Sequence, residues 1–431
     1  MLVAISKIIG KMSDIQVRDY LLDKWSSSQF GFLQGRSTCD ALFSFTSTIV
    51  ENQNNKYVTA SVLCDVKKAF DSLPHGLLLK KLGQCGIIGR ELQWFKSYLS
   101  GRLQLTEVGE HRSEYLPVTT GVPQGSILGP TLFIAFVNDL PSKLDCKSVM
   151  FADDTSLLIR APNLEMLQIE VNKTLSAVTS WFNSNGLTLH PSKTVINVHG
   201  KSANNFQVSL NGYNLKEEED IGHPLLGVQI SKNLNWKTHI NQVIDKVKSC
   251  VNCLSRSRNY LVLAGRLSFF YSFIYAQYSY CLPIWGLDGI KNSDLQKMYK
   301  KAIRLVKNKK GAVHTSKMCK ELNILPLDAL YEHSLWCLAH RYFNSGEYES
   351  LFCTRGRNAA KNQMKTPKVS KDRQAIHEIA RSWNSLPKQL MEHINSPLKV
   401  FSKEGKKYLL SQIGKVECSN PSCFECKNLK K

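Results

Sequence analysis

Two β-prone runs, residues 148–151 and 155–159, flank Ala152-Asp153-Asp154, and an apolar, strand-like run at 60–66 ends around a third aspartate, Asp65, 88 residues before Asp153. The first pair reads as a hairpin with two carboxylates at its tip, and the second run as a buried strand that delivers another. An isolated Asp-Asp pair is most often an ordinary turn. Three carboxylates held close together repel one another, so such a cluster is costly unless it binds a cation. Hard divalent cations prefer carboxylate oxygen. Two of them roughly 3.5–4 Å apart stabilise both the attacking and the leaving oxygen of an in-line displacement at phosphorus.

The segment between these aspartates is patterned as well. Gly121-Val122-Pro123-Gln124-Gly125 is a loop signal, Ser126 is a candidate N-cap, and apolar residues at 128, 132, 133, 136, 137 and 140 have helical spacing. Apolar positions 164, 167, 171, 175, 178, 181 and 182 predict a long amphipathic helix stopped by Asn185-Gly186, with a short strand at 187–189. Beyond Trp236 the pattern is mainly helical to about Val306. Residues 345–375 are polar, basic and weakly patterned, which suits a linker, and no internal repeat is visible.

The 431 residues carry a formal charge of +21, unevenly spread: residues 1–290 hold 28 basic and 23 acidic side chains, whereas 291–431 hold 28 and 12. The last third therefore carries +16 of the total, and it also contains Trp336, Tyr342, Phe343, Trp383 and Phe401. Charge and aromatics together suit a grip on a nucleic-acid backbone, the alternative being a solvated Lys-rich surface. Thirteen cysteines, an odd number scattered along a long chain, predict reduced thiols and an intracellular setting, nucleus or cytoplasm. The first residues do not read as a secretory signal, being broken by Lys7 and Lys11. Residues 267–287 lack charge and could span a bilayer by length, but four tyrosines, Gln277 and Pro283 favour a buried helix and a turn, so no membrane partner is expected.

Taken together, Cys64-Asp65-Val66-Lys67-Lys68-Ala69-Phe70-Asp71, the stretch from Gly121 to Pro130, and Phe151-Ala152-Asp153-Asp154 resemble, in order and spacing, the three catalytic motifs of the reverse transcriptases of non-LTR retrotransposons, the jockey-like branch in particular. Gln29-Phe30-Gly31-Phe32 through Gly35-Arg36-Ser37-Thr38 resembles the block preceding the first motif. Gly186 to Lys193 resembles the fourth motif, Leu226-Gly227-Val228 the primer-gripping turn, and Trp383-Asn384-Ser385-Leu386-Pro387 a C-terminal signature.

The resemblance implies an α+β right-hand polymerase: truncated fingers over 1–60, a palm of antiparallel strands and helices over 61–234, a helical thumb over 235–306, and a basic, mostly helical extension over 307–431. It implies RNA-directed DNA synthesis on a DNA primer and RNA template from dNTPs, with two Mg2+ or Mn2+ ions held by Asp65, Asp153 and Asp154. Phe70 would exclude a ribose 2′-hydroxyl by its volume or serve as a core aromatic. Gln124 and Gly125 would approach the nucleotide and its template base, or form a helix-entry turn without a ligand. Lys193 would face the triphosphate or stand solvated, Arg36 would touch template or nucleotide, and Gly227 would touch nucleic acid. A non-catalytic nucleic-acid-binding remnant is the alternative function.

Cys418, Cys423 and Cys426 have metal-like spacing but lack a fourth ligand, which favours free thiols over zinc; Cys250 and Cys253 read as helix packing. His75 matches a recurrent histidine of the family without an assigned chemistry. Departures from the family pattern are Leu33 in place of an arginine, His223-Pro224 ahead of the primer-gripping turn, and Met1 inside the first conserved block. The expectation is that upstream fingers and endonuclease are absent, the latter function being left to another chain.

Overall fold

Residues 4–199, 206, 208–210, 212–215, 223–309, 314–345, 363–364 and 375–413 are described by the computed structural model of the chain. Helix α1 (Ala4–Tyr20) is followed by α2 (Thr38–Asn54), whose N-cap Ser37 accepts the Asp40 amide through its side chain at 3.4 Å. Strand β1 (Val58–Cys64) leads to α3 (His75–Gln84) and α4 (Gly89–Leu99). An exposed arm then pairs β2 (Leu103–Gln104) with β5 (Leu116–Pro117), and β3 (Glu107–Val108) with β4 (His111–Arg112). Helix α5 (Leu128–Val137), the hairpin of β6 (Lys147–Phe151) and β7 (Asp154–Ala161), α6 (Leu164–Ser184) and β8 (Val195–His199) follow, with a small hairpin of β9 (Val208–Leu210) and β10 (Tyr213–Leu215).

The central sheet has the order β6-β7-β1-β8, antiparallel throughout. Strand β1 lies between two partners and is buried along almost its whole length. Its alternation sends Val58, Ala60, Val62 and Cys64 into one core with α5 and with the Leu167, Val171, Leu175 and Val178 face of α6. On the opposite face, Ser61 meets the His199 ring at 2.8 Å, and that ring packs edge-on against Phe45 of α2. Helix α5 is apolar on nearly every side and correspondingly buried, with each fully buried Leu or Phe contributing about 1.5–3 kcal/mol of transfer free energy. The strand expected at 187–189 is reduced to one bridge, Val66 with Leu189, because the chain turns away at His190-Pro191 and proline cannot donate to a ladder.

Contacts divide the chain into two compact units, 1–220 and 221–431. The second begins with the hairpin of β11 (His223–Leu225) and β12 (Val228–Ile230) and is otherwise helical. Helices α7 (Lys237–Ser257) and α8 (Leu263–Phe269) lead into a π-helical turn (Phe270–Tyr275), α9 (Ala276–Ser279), α10 (Leu282–Lys291) and α11 (Ser293–Val306). Further on come α12 (Thr315–Leu322), α13 (Leu327–Ser345), α14 (Ala375–Asn384), α15 (Lys388–Met391) and α16 (Leu398–Gln412). The uncharged stretch at 267–287 is broken at Cys281, which is left-handed (φ +49) with Pro283 opening the next helix. No helix among the described residues is long and apolar enough to cross a membrane.

The structure corrects two expectations here. Trp336, Tyr342, Trp383 and Phe401 are 1–3% exposed, so four of the five aromatics assigned to a nucleic-acid grip are core residues. Large apolar rings gain more by packing α13, α14 and α16 together than by standing exposed for bases, and of the five Phe343 alone is left half-buried. Cys253 is exposed and Cys250 half-buried, so the pair lies on the flank of α7 rather than in its packed stripe. Cys418, Cys423 and Cys426, and nearly all of the 345–375 segment, lie outside the described residues.

Candidate active site

The hairpin between β6 and β7 turns through two residues, Ala152 and Asp153, with Phe151 paired to Asp154. Ala152 has φ +59, a positive value at the first central position that matches the twist of a two-residue hairpin. Strand β1 pairs with β7 from Val58 with Ala161 to Cys64 with Thr155, and one further step of that register sets Asp65 opposite Asp154. Asp65 and Asp153 are half-buried and Asp154 is exposed. The structure thus brings the three aspartates to one end of the sheet.

Asp65 is also held from its other side. Its carbonyl accepts the His190 amide at 2.8 Å, the Lys67 amide donates to Thr188 at 2.9 Å, and Lys193 Nζ stands 3.8 Å from Asp65 Oδ2. A cleft of about 410 Å³ opens there between Asp65, Lys67, Lys68, Ser72, His190 and Lys193. Cations beside a carboxylate make this cleft suited to a polyanion.

Lys68 is left-handed (φ +44) and turns the chain from β1 into a one-turn helix that carries Phe70 and Asp71. The Phe70 ring stacks on Phe133 of α5 at 4.5 Å and 28°, and Phe32 stands edge-on to it at 6.4 Å. It is half-buried, so the same ring packs against the core and shows a face. The 120–124 loop is stitched to this turn: Val122 N–H donates to the Phe70 carbonyl (2.9 Å), Gly121 N–H to that of Leu73 (2.8 Å), and Thr120 Oγ1 to that of Asp71 (3.0 Å). His75, at the start of α3, contacts the Gly121 carbonyl through Nε2 at 2.8 Å, a structural task for that histidine. Gln124 Nε2 donates to both Asp71 carboxylate oxygens, at 2.9 and 3.1 Å. Gly125 follows with φ +78 and open space where a side chain would stand.

Asp71 is the residue that sequence reasoning passed over: it lies within the first motif, but nothing local marks it as the partner of a glutamine 53 positions away. Arg36 is spent locally, donating to the carbonyls of Ser26 (3.2 Å), Ser27 (3.1 Å) and Gln29, with Phe30 beneath its guanidinium at 5.4 Å. Gly227 belongs to the second unit, where Leu226 (φ +48) and Gly227 (φ +80) form the two-residue turn of the β11–β12 hairpin. Tyr280 braces that turn by donating to the Leu226 carbonyl at 2.6 Å.

Among the described residues, no three His, Cys, Asp or Glu side chains converge closely enough to hold an ion unaided. The donor set still fits Mg2+, which keeps several waters and binds through one or two carboxylates plus substrate phosphates rather than in an all-protein cage.

Acids at the end of the sheet and a lysine-lined cleft beside Asp65 are what the chain presents here. Residues 2–230 match the family described as Reverse transcriptase (RNA-dependent DNA polymerase), and the chain belongs to that family. Over 272 residues it is 26% identical to the RNA-directed DNA polymerase from mobile element jockey of Drosophila melanogaster, covering 60% of this chain and 29% of that one. It is 28% identical over 260 residues to the retrovirus-related Pol polyprotein from type-1 retrotransposable element R1 of Bradysia coprophila, covering 59% and 24%. The chain thus spans less than a third of these relatives' length. Apo telomerase from Candida tropicalis aligns with 81% of this chain and 60% of its own, at TM-score 0.44 and 12% identity.

Proposed function

We propose that the chain is an RNA-directed DNA polymerase of a retrotransposable element, adding deoxynucleotides to a primer 3′-hydroxyl against an RNA template. The observation that carries this reading is the register of β1 with β7, which delivers Asp65, a residue lining the lysine-rich cleft, to the end of the sheet that carries Asp153 and Asp154. Asp65, Asp153 and Asp154 would hold two Mg2+ or Mn2+ ions, which supply charge stabilisation for the attacking and leaving oxygens when bound. Lys193, with Lys67 and Lys68, receives the triphosphate. Phe70 lies under the sugar and Gln124-Gly125 under the base, with Asp71 fixing the orientation of the Gln124 amide.

Residues 61–234 act as the palm, 1–60 as fingers, 235–306 as thumb, and the basic 307–431 region holds nucleic-acid backbone, as does the Gly227 turn. The test is primer extension on an RNA template with Mg2+ and all four dNTPs. Extension should occur in the wild type and fall by at least about 100-fold in Asp153→Asn, with primer-template affinity retained, because the lost charge faces the ions. Extension by Asp153→Asn at the wild-type rate would sink the assignment.

A further inference from the structure

Residues 28–30 run alongside β6, at the edge of the sheet. The Met150 amide donates to the Ser28 carbonyl and the Phe30 amide to the Met150 carbonyl, both at 2.8 Å, with Gln29 in a parallel bridge to Met150. This sets the Gln29 side chain, 1% exposed, against the turn that carries Asp153. There Oε1 accepts two backbone amides, that of Gly31 at 2.8 Å and that of Ala152 at 3.1 Å. Nε2 is buried and has no partner among the described residues. Two converging donors decide which end of the amide faces the turn, since an inverted amide would set N–H against N–H.

The backbone of Ala152 needs outside support. It is left-handed, a region alanine seldom occupies, and such conformations persist only where the surroundings over-determine them. The surroundings here are the Gln29 cap and a backbone-to-backbone contact: a Cβ added to Gly31 would strike the Ala152 nitrogen. The loop bearing Gln29 is in turn clasped by Arg36 through the carbonyls of Ser26, Ser27 and Gln29. Asp153 follows Ala152 directly, so any rotation of the Ala152 backbone swings its carboxylate.

We propose that Gln29 is a positioning residue for the proposed polymerase reaction: by capping the Ala152 amide it locks the left-handed turn and so aims the Asp153 and Asp154 carboxylates. The inference rests on the function proposed above. Two variants of the whole chain test it. Gln29→Met keeps the length and apolar volume but removes the acceptor, and Gln29→Glu keeps an acceptor. Hydrogen exchange at the 151–154 turn, read against β1 and β7, reports the lock without reference to activity. Single-turnover incorporation, split into kcat and KM for the dNTP, reports its consequence.

In Gln29→Met, exchange at the turn should rise at least about tenfold with β1 and β7 still protected. Incorporation should slow about 10- to 100-fold at a KM within about threefold, as expected when a reacting group is misplaced by a fraction of an ångström to one ångström. Gln29→Glu should stay within about threefold of wild type in both. Wild-type exchange at the turn in Gln29→Met would overturn the proposal, as would equal loss of protection throughout β1 and β7 in both variants, which is the mark of general packing. A wild-type chain that extends no primer would remove the polymerase reading, while the exchange measurement would still decide the lock.

Discussion

Removing the Phe70 ring should have two separable effects, because the ring is half-buried and works on both of its faces. Truncating a fully buried phenylalanine costs about 3–5 kcal/mol, so a half-buried one stacked on Phe133 at 4.5 Å should cost about 2 kcal/mol. For a unit of this size each kcal/mol lowers the melting midpoint by about 2–4 °C, so Phe70→Ala should melt about 4–8 °C lower. The second effect appears in substrate choice. If the exposed face excludes a 2′-hydroxyl by volume, its loss is a pocket-scale change of the kind that moves discrimination by about 10- to 200-fold. The assay is single-nucleotide extension with matched dCTP and CTP, well below the variant's midpoint, comparing the ratio of kcat/KM values. Phe70→Tyr, which retains the stack, should keep the wild-type ratio to within a few-fold. A Phe70→Ala protein that melts lower as calculated but keeps the dCTP/CTP ratio within about threefold would refute the gate and leave only the packing role.

Three further outcomes are expected. Lys193 and Asp65 are 63% and 40% exposed, so Lys193→Ala should shift stability by no more than about 0.5 kcal/mol, yet raise the dNTP KM several-fold; an unchanged KM would make Lys193 a solvated side chain. On α11, Lys297, Lys300 and Lys301 are exposed, and replacing all three by Gln should lower the log-log salt slope of nucleic-acid binding by up to about 0.7–0.9 for each phosphate they had neutralised, an identical slope excluding this helix from the grip. His239 is 5% exposed and accepts the Gln229 amide, and burial together with Lys246 pushes its pKa down to about 4. The unfolded chain therefore takes up this proton first, so the stability that neutral His239 provides is complete above about pH 6.5 and declines as the pH falls towards 4. The loss is about 3 kcal/mol, or 1.36 kcal/mol per unit; His239→Gln should flatten that part of the pH–stability curve, and a curve of unchanged slope would refute the assignment.

Strands β1, β6 and β7 and helices α5 and α6 were legible because each carries its own local pattern. The near-continuous apolar run of β1, the β-prone runs on either side of the Asp153 turn and the 3.6-residue spacing of α6 are local signals, and the carboxylates lie at the ends of these runs. What remained hidden depends on partners far along the chain. The bonds from Gln124 to Asp71 and from Gln29 to Ala152 join irregular segments 53 and 123 residues apart, and neither leaves a period in the sequence. Trp336 and Trp383 misled for a related reason: composition shows that a basic segment contains rings, but only the packing of α13, α14 and α16 shows that the rings are buried.

The register of β1 also bears on how the protein comes into being. Both partners of this central strand, β7 and β8, follow it in the chain by about 90 residues or more. During synthesis from the N-terminus, at about 5–20 residues per second, β1 waits on the order of 5–20 s with apolar side chains and unpaired backbone groups on offer. Until β7 has emerged and paired, Asp65 has no Asp154 opposite it, so the proposed catalytic centre cannot exist in a partly made chain. The wait is also the interval in which the strand is most open to pairing with another chain, and co-synthesised chaperone capacity should therefore govern yield more strongly than the stability of the finished sheet.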